Sequence, residues 1–155
     1  KLNIFLGKNN ANLYINFHPH TIFSNVPDFK KYENIIFLKN IGDENSLILN
    51  NIDLLITDYS AIYSDFLLFD KPILLAPFDY KEFIENDRDL INEYFDLPNH
   101  FAYNWDEIIM KIEEIFSSKS DKFYNDRILL KKNIYPNINK SGIEETLKLL
   151  KILIN

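Results

Sequence analysis

Two polar runs stand where apolar segments end, and both carry residue types that could do chemistry. One is His18-Pro19-His20, after Leu13-Tyr14-Ile15-Asn16-Phe17; the other is Thr57-Asp58-Tyr59-Ser60-Ala61, after Ile52-Asp53-Leu54-Leu55-Ile56. An imidazole titrates near neutral pH and is well suited to take a proton from a hydroxyl. Pro19 biases the residue before it toward extended backbone, which holds the His18 ring in place. His18 and His20 could also bind a metal, but no third ligand is evident and no metal site is expected. In the second run, Ser60 offers a hydroxyl just before a helical pattern. With the N–H groups of a first helical turn, it makes a phosphate site that needs no glycine. The plainer readings are a helix cap for Ser60 and a turn residue for Asp58. His100 follows Pro98-Asn99 and reads as structural.

The elements that must position these residues alternate in type. Leu13 to Phe17, Ile35-Ile36-Phe37-Leu38, Ile52 to Thr57 and Pro72-Ile73-Leu74-Leu75-Ala76 read as short strands. Residues 45–51 read as a brief helix capped by Asp43, and residues 61–69 as a helix with Ile62, Phe66 and Phe69 on one face. Asn104 and Glu107 have capping-box spacing for a helix through Phe116, with Ile108, Ile112 and Ile115 as its packing stripe. A helix is expected over 122–133. Ser141 and Glu144 open a last one, with Ile143, Leu147, Leu150 and Ile154 on one face. Strands apolar on both faces and separated by helices imply an α/β fold: a Rossmann-like open parallel sheet flanked by helices. In such sheets ligands bind at the carboxyl ends of the strands, where both polar runs fall.

Composition narrows the function classes. The chain of 155 residues suits a single domain over 1–155, with 46% hydrophobic residues to build a core. A formal charge of −6 argues against nucleic acid as a partner. Zero Cys excludes disulfides, thiolate metal sites and a cysteine nucleophile. Three Gly leave no Gly-rich phosphate loop. No apolar run reaches the roughly 18 residues of a membrane span, and Asn3-Ile4-Phe5-Leu6 is too short for a signal-peptide core. The first residue is Lys1 rather than Met, so a fragment of a longer polypeptide is expected. Lys131-Lys132 and Lys148 with Lys151 are read as solvated helix faces rather than a basic patch.

Leu55-Ile56-Thr57-Asp58-Tyr59-Ser60-Ala61-Ile62-Tyr63-Ser64-Asp65-Phe66, followed by Asp70-Lys71-Pro72-Ile73, resembles the CDP-glycerol:poly(glycerophosphate) glycerophosphotransferase family. Its motif reads roughly LITDYSSxxFDF, then xKP. Ile15 to His20 is similar to the family's histidine-proline strand end. Asp79-Tyr80-Lys81-Glu82-Phe83 and Asp87-Arg88 resemble its D-x-x-x-Y…RG segment. The resemblance covers roughly 13–115. Ala61 stands where the family has a second Ser, Asp89 replaces the Gly after its Arg, and Asn139-Lys140-Ser141-Gly142 echoes its terminal DGxAS segment. A strand ending Leu-Leu-Ile-Thr-Asp is also similar to the phosphoacceptor strand of response-regulator receivers. Those carry an acidic pair where His18 and His20 stand here, and a suitable Lys after a later strand is lacking.

The resemblance implies the C-terminal, donor-binding half of a GT-B-like transferase, whose other half supplies the acceptor side of the cleft. It implies CDP-glycerol or a similar nucleotide-activated polyol as donor substrate, no further cofactor, and a lipid-linked teichoic-acid-like or capsular polymer as acceptor. Location is then cytoplasmic, or peripheral at the inner face of the cell membrane. His18 is the implied general base or phosphate ligand, supported by Pro19 and His20. Thr57, Asp58, Ser60, Ala61, Arg88 and Ser141 are the implied donor- and phosphate-binding residues, with Lys140 adding charge. Asp58 and Asp65 suit orienting the donor better than touching its phosphates, because like charges repel. Arg88 has the plainer alternative of an ion pair with Asp87 or Glu85. Two other readings stay open: a transferase using another nucleotide sugar, such as a CMP-linked nonulosonic acid, and a non-catalytic nucleotide-binding module.

Overall fold

Why the strands pair as they do is visible in β4, Ile73–Leu75, all three of whose residues are fully buried. Ile73 and Leu75 point to one face, into a cluster with Leu55, Tyr63, Phe66 and Leu67; Leu74 points to the other, against Ala102 and Ile108. A strand covered on both faces cannot show polar alternation, which accounts for its continuous apolar run. The computed structural model describes residues 1–17, 31–38, 45–86, 94–118, 121–138, 142, 146–148 and 150.

The order begins with α1 (Leu2–Lys8), β1 (Leu13–Ile15), β2 (Ile35–Phe37), α2 (Asn45–Asn51) and β3 (Leu55–Thr57). It continues with α3 (Ile62–Phe66), a 3₁₀ turn at Leu67–Phe69, β4, α4 (Tyr80–Asn86) and a second 3₁₀ turn at Tyr94–Asp96. It closes with β5 (His100–Phe101), α5 (Trp105–Ser117) and α6 (Tyr124–Ile134). Among the described residues all pairings are parallel. β1 pairs with β2 through Leu13 and Ile35, and β4 lies between β3 and β5, with Leu55 beside Ile73 and Leu74 beside His100. The fold is thus the expected parallel α/β type. Among the described residues its ladders form a two-stranded and a three-stranded group.

Helices cover both faces of the three-stranded group. α3 and Leu130 of α6 lie over Ile73 and Leu75; Ile108 and Ile112 of α5 lie over Leu74. Asn104 is extended at φ −161° and its Oδ1 accepts the Glu107 N–H at 2.9 Å, the expected cap, worth about 1 kcal/mol. Glu107 answers one residue further back than a capping box requires. Its Oε2 accepts the Tyr103 N–H at 2.8 Å, and its Oε1 accepts from the Asn104 side-chain Nδ2 at 2.6 Å.

Several sequence expectations shift. The helix over 61–69 is an α turn that tightens to 3₁₀ at Leu67, and its buried set is Tyr63, Phe66 and Leu67, at i, i+3 and i+4, with Ile62 and Phe69 half-buried beside them. It stops at Asp70, whose φ of 56° lies in the left-handed region that short acidic side chains tolerate. Lys131 is not a solvated cation: it forms an ion pair with Asp70 and ties α6 to that stop. The strand expected over 52–57 begins only at Leu55, because α2 runs to Asn51 and leaves a short connection. Residues 3–6 are helical within α1, and β5 is an additional strand. Near the C-terminus Gly142, Thr146 to Lys148 and Leu150 are helical, yet Leu147 and Leu150 are about half exposed rather than a buried stripe. The Asp43 cap and the rest of that last helix lie outside the described residues. No helix among the described residues is long and apolar enough to cross a membrane.

Candidate functional site

β3 ends at Thr57, whose carbonyl accepts the Ala76 N–H at 2.8 Å and so keeps the ends of β3 and β4 together. The chain then turns. Asp58 Oδ1 accepts the Ser60 N–H at 3.2 Å, an Asx turn that brings the backbone round into α3. Asp58, Ser60 and Ala61 are exposed, whereas Tyr59 between them is half-buried. The run therefore puts a carboxylate and a hydroxyl on the surface at the carboxyl end of the sheet and turns its phenol inward.

Ser60 does part of the capping work its sequence position suggested. Its Oγ accepts the Ile62 N–H at 3.4 Å, although the residue immediately before α3 is Ala61. The first-turn donors behave differently from expectation. Tyr63 N–H donates to the Ser60 carbonyl at 3.2 Å and Ser64 N–H to the Ala61 carbonyl at 3.0 Å. With the Ser60 and Ile62 amides also engaged, this tight turn consumes several N–H groups that were expected to face a phosphate. The physical reason is the short i→i+3 bonding of the helix start, which satisfies donors that a regular α-helix leaves open.

The frame behind the turn is aromatic. Tyr59 stacks on Phe83 with ring centroids 4.0 Å apart and an interplanar angle of 23°, and the Tyr94 ring lies 5.5 Å from it, tilted by 47°. The Tyr59 hydroxyl donates to Asp79 Oδ1 at 3.1 Å, and the Tyr94 hydroxyl donates to the Asp58 carbonyl at 3.1 Å. Burial pushes the Tyr59 phenol well above its ordinary range, and the neighbouring Asp79 carboxylate raises it further. Tyr94 is raised in the same way, by burial and then by Asp58. Both stay protonated and act as hydrogen-bond donors through the physiological range.

The two carboxylates in this frame, Asp58 and Asp79, are both negative, so an anionic ligand here needs cations from elsewhere. His18, Pro19, His20, Arg88, Lys140 and Ser141 are the residues expected to complete the site, and all lie outside the described residues. Asp65 is exposed on α3, without an ion pair among the described residues. Among them, no group of three His, Cys, Asp or Glu could hold a metal ion.

Three residues of the frame carried no role in the sequence reading. Tyr59 and Asp79 both lie inside recognisable motif segments, but nothing in the sequence pairs them; Tyr94 carries no signal of its own. Lys71, before Pro72, is structural: its Nζ donates to the carbonyls of Asn50 and Ile52, each at 2.7 Å, closing the end of α2. His100 is buried, edge-on to Phe123 at 5.0 Å, in keeping with a structural role.

The model of the CDP-Glycerol:Poly(glycerophosphate) glycerophosphotransferase family matches residues 1–140, which takes in the Asp-Tyr-Ser turn, the Asp79 segment and the Lys71-Pro72 pair. The chain belongs to that family. Two curated relatives of this glycerophosphotransferase-family chain are teichoic acid enzymes by name. It is 32% identical over 81 residues to the teichoic acid glycerol-phosphate primase of Bacillus subtilis (strain 168), covering 52% of this chain and 21% of that protein. It is 37% identical over 71 residues to the teichoic acid poly(ribitol-phosphate) polymerase of Bacillus spizizenii (strain ATCC 23059 / NRRL B-14472 / W23), covering 45% of this chain and 11% of that protein. The shared segment is thus a minor part of each relative's length.

Proposed function

We propose that this chain is the donor-binding part of a transferase that moves glycerol phosphate, or a related polyol phosphate, from a CDP-linked donor to a teichoic-acid-like or capsular polymer. The observation that carries the reading is the Asp58–Ser60 turn: a motif of the matched family, exposed at the carboxyl end of a parallel sheet, where such folds bind ligands. Ser60 would donate its hydroxyl proton to a donor phosphate, while Thr57, Asp58 and Ala61 shape the turn that presents it. Arg88 and Lys140 would supply the counter-charge that Asp58 and Asp79 cannot, and Ser141 would add a hydroxyl to the phosphate contacts. Asp65 would orient the donor.

The chemistry is phosphoryl-group transfer. A terminal hydroxyl oxygen of the acceptor attacks the glycerol-side phosphorus, its proton passes to His18, and the phosphoanhydride bond breaks with both electrons leaving on CMP. Such reactions depend on positioning and electrostatic stabilisation. Pro19 and His20 would hold the His18 ring at the end of the β1 segment. We further propose a two-lobed GT-B-like enzyme whose other lobe binds a lipid-linked acceptor at the inner membrane face.

The test is nucleotide release by the full polypeptide, supplied with a polymer primer and CDP-glycerol, CDP-ribitol or CMP-linked sugars, each of which would release CMP, or with UDP-sugars, which would release UDP. Release from a CDP-polyol, lowered at least about tenfold in His18→Ala and Ser60→Ala, is the expected result. Turnover of a CMP-sugar alone would replace the polyol donor by a nonulosonic acid. Nucleotide binding without turnover would make the chain a binding module, and no cytidine nucleotide binding would overturn the reading.

A further inference from the structure

We infer that Tyr59 and Asp79 form a positioning latch, which holds the Asp58–Ser60 turn in the shape that receives a donor and joins it to the start of α4. The inference rests on the donor-site reading above and deepens it by giving the middle residue of the Asp-Tyr-Ser triplet a role. Tyr59 is the inward residue of a run whose neighbours on both sides are exposed, so its anchoring decides where those neighbours stand. Its ring stacks on Phe83 and packs against Tyr94, and its hydroxyl donates to Asp79 Oδ1 at 3.1 Å.

Asp79 and Phe83 are themselves one unit. The Phe83 N–H donates to the Asp79 carbonyl at 2.9 Å, which sets the two residues one helical turn apart. One segment thus supplies both the acceptor for the phenol and the surface for its ring. A turn held only by its own Asx bond would be free to rock about the end of β3. With Tyr59 fastened, movement of the turn requires movement of α4 or loss of a stacked contact. Tyr59 acts through the turn and is a positioning residue. Since small misplacements of a reacting group are costly, loosening the latch lowers turnover without removing any ligand contact.

Two measurements on the full polypeptide test this. Hydrogen exchange over residues 57–66 reads the latch itself. Tyr59→Phe keeps the ring and removes the hydroxyl; Asp79→Ala removes the acceptor; Asp79→Asn keeps an acceptor oxygen. The first two should speed exchange of the turn amides at least about threefold, and Asp79→Asn should stay near the unsubstituted rate. CMP release from CDP-glycerol or CDP-ribitol reads the consequence. The kcat/KM should fall about five- to tenfold in Tyr59→Phe and in Asp79→Ala, no further in the double variant, and recover in Asp79→Asn. Unchanged exchange in Tyr59→Phe, or additive losses in the double variant, would overturn the latch. If the unsubstituted protein releases no CMP while the exchange pattern appears, the donor reading fails and the latch stands as a tether of the turn.

Discussion

The phenol of Tyr94 donates to the main-chain carbonyl of Asp58, so a residue 36 positions downstream holds the end of β3 at the point where the sheet meets solvent. Tyr94 is 5% exposed, and its ring also packs edge-on against Phe101 of β5 at 5.9 Å. Side-chain rings and a single carbonyl thus brace the candidate donor turn from beneath. Replacing Tyr94 by Phe retains the packing and leaves that carbonyl without this donor. A loss of about 1–2 kcal/mol in urea denaturation is expected. Weaker binding of CMP should accompany it in calorimetric titration; unchanged stability would show that the bond carries no weight.

Lys71 gives a contrasting case, a motif residue whose work is structural. Its ammonium closes two carbonyls at the end of α2, so Lys71→Met should lower the denaturation midpoint by the equivalent of about 1.5–3 kcal/mol. CDP-glycerol affinity in the folded protein should be unaffected. A selective loss of affinity at full stability would instead place Lys71 at the ligand.

Arg127 is 4% exposed and pairs with Asp121, itself 17% exposed at the side chain, just ahead of α6. Removing one partner strands a buried charge. Asp121→Ala should therefore cost about 3–5 kcal/mol, whereas Arg127→Met with Asp121→Leu should come far closer to neutral. Equal destabilisation of the single and double variants in thermal and chemical melts would contradict that reasoning.

His100 makes stability depend on pH. Burial holds the imidazole below its ordinary value of 6.5, and the attraction of Glu114, 4.0 Å away, does not offset it; Lys111 and Lys122 lower it further while Asp121 raises it. The unfolded chain then binds more protons than the folded one between the folded value and 6.5. Stability is fully present above that window and is lost as pH falls through it. His100→Asn should flatten this part of the stability–pH curve below 6.5. An unchanged slope would assign the dependence to other groups.

The amino-acid sequence by itself determined the class of the fold, the family, and the position of the exposed turn. Those features are local. A doubly apolar run such as Ile73-Leu74-Leu75, preceded by Lys71-Pro72 and followed by Pro77, reads as a strand covered on both faces, and Asp58-Tyr59-Ser60 carries its meaning in its own residue types. The Asn104–Glu107 cap was legible for the same reason, because donor and acceptor lie within one turn of each other. What only the tertiary structure decided is how that turn is held. Asp79 and Tyr94 reach it from 20 and 36 residues away, and no periodicity or spacing encodes such a contact. The two-residue strand β5 escaped a reading by alternation for a related reason: it is too short to alternate and exists because β4 offers it an open edge. Even the buried face of α3 depended on packing, since the cluster over β4 takes Tyr63, Phe66 and Leu67 and leaves Ile62 and Phe69 half-buried beside them. Local chemistry named the residues at the turn; long-range burial, which rewards contacts irrespective of their separation in the chain, fixed the direction in which each one points.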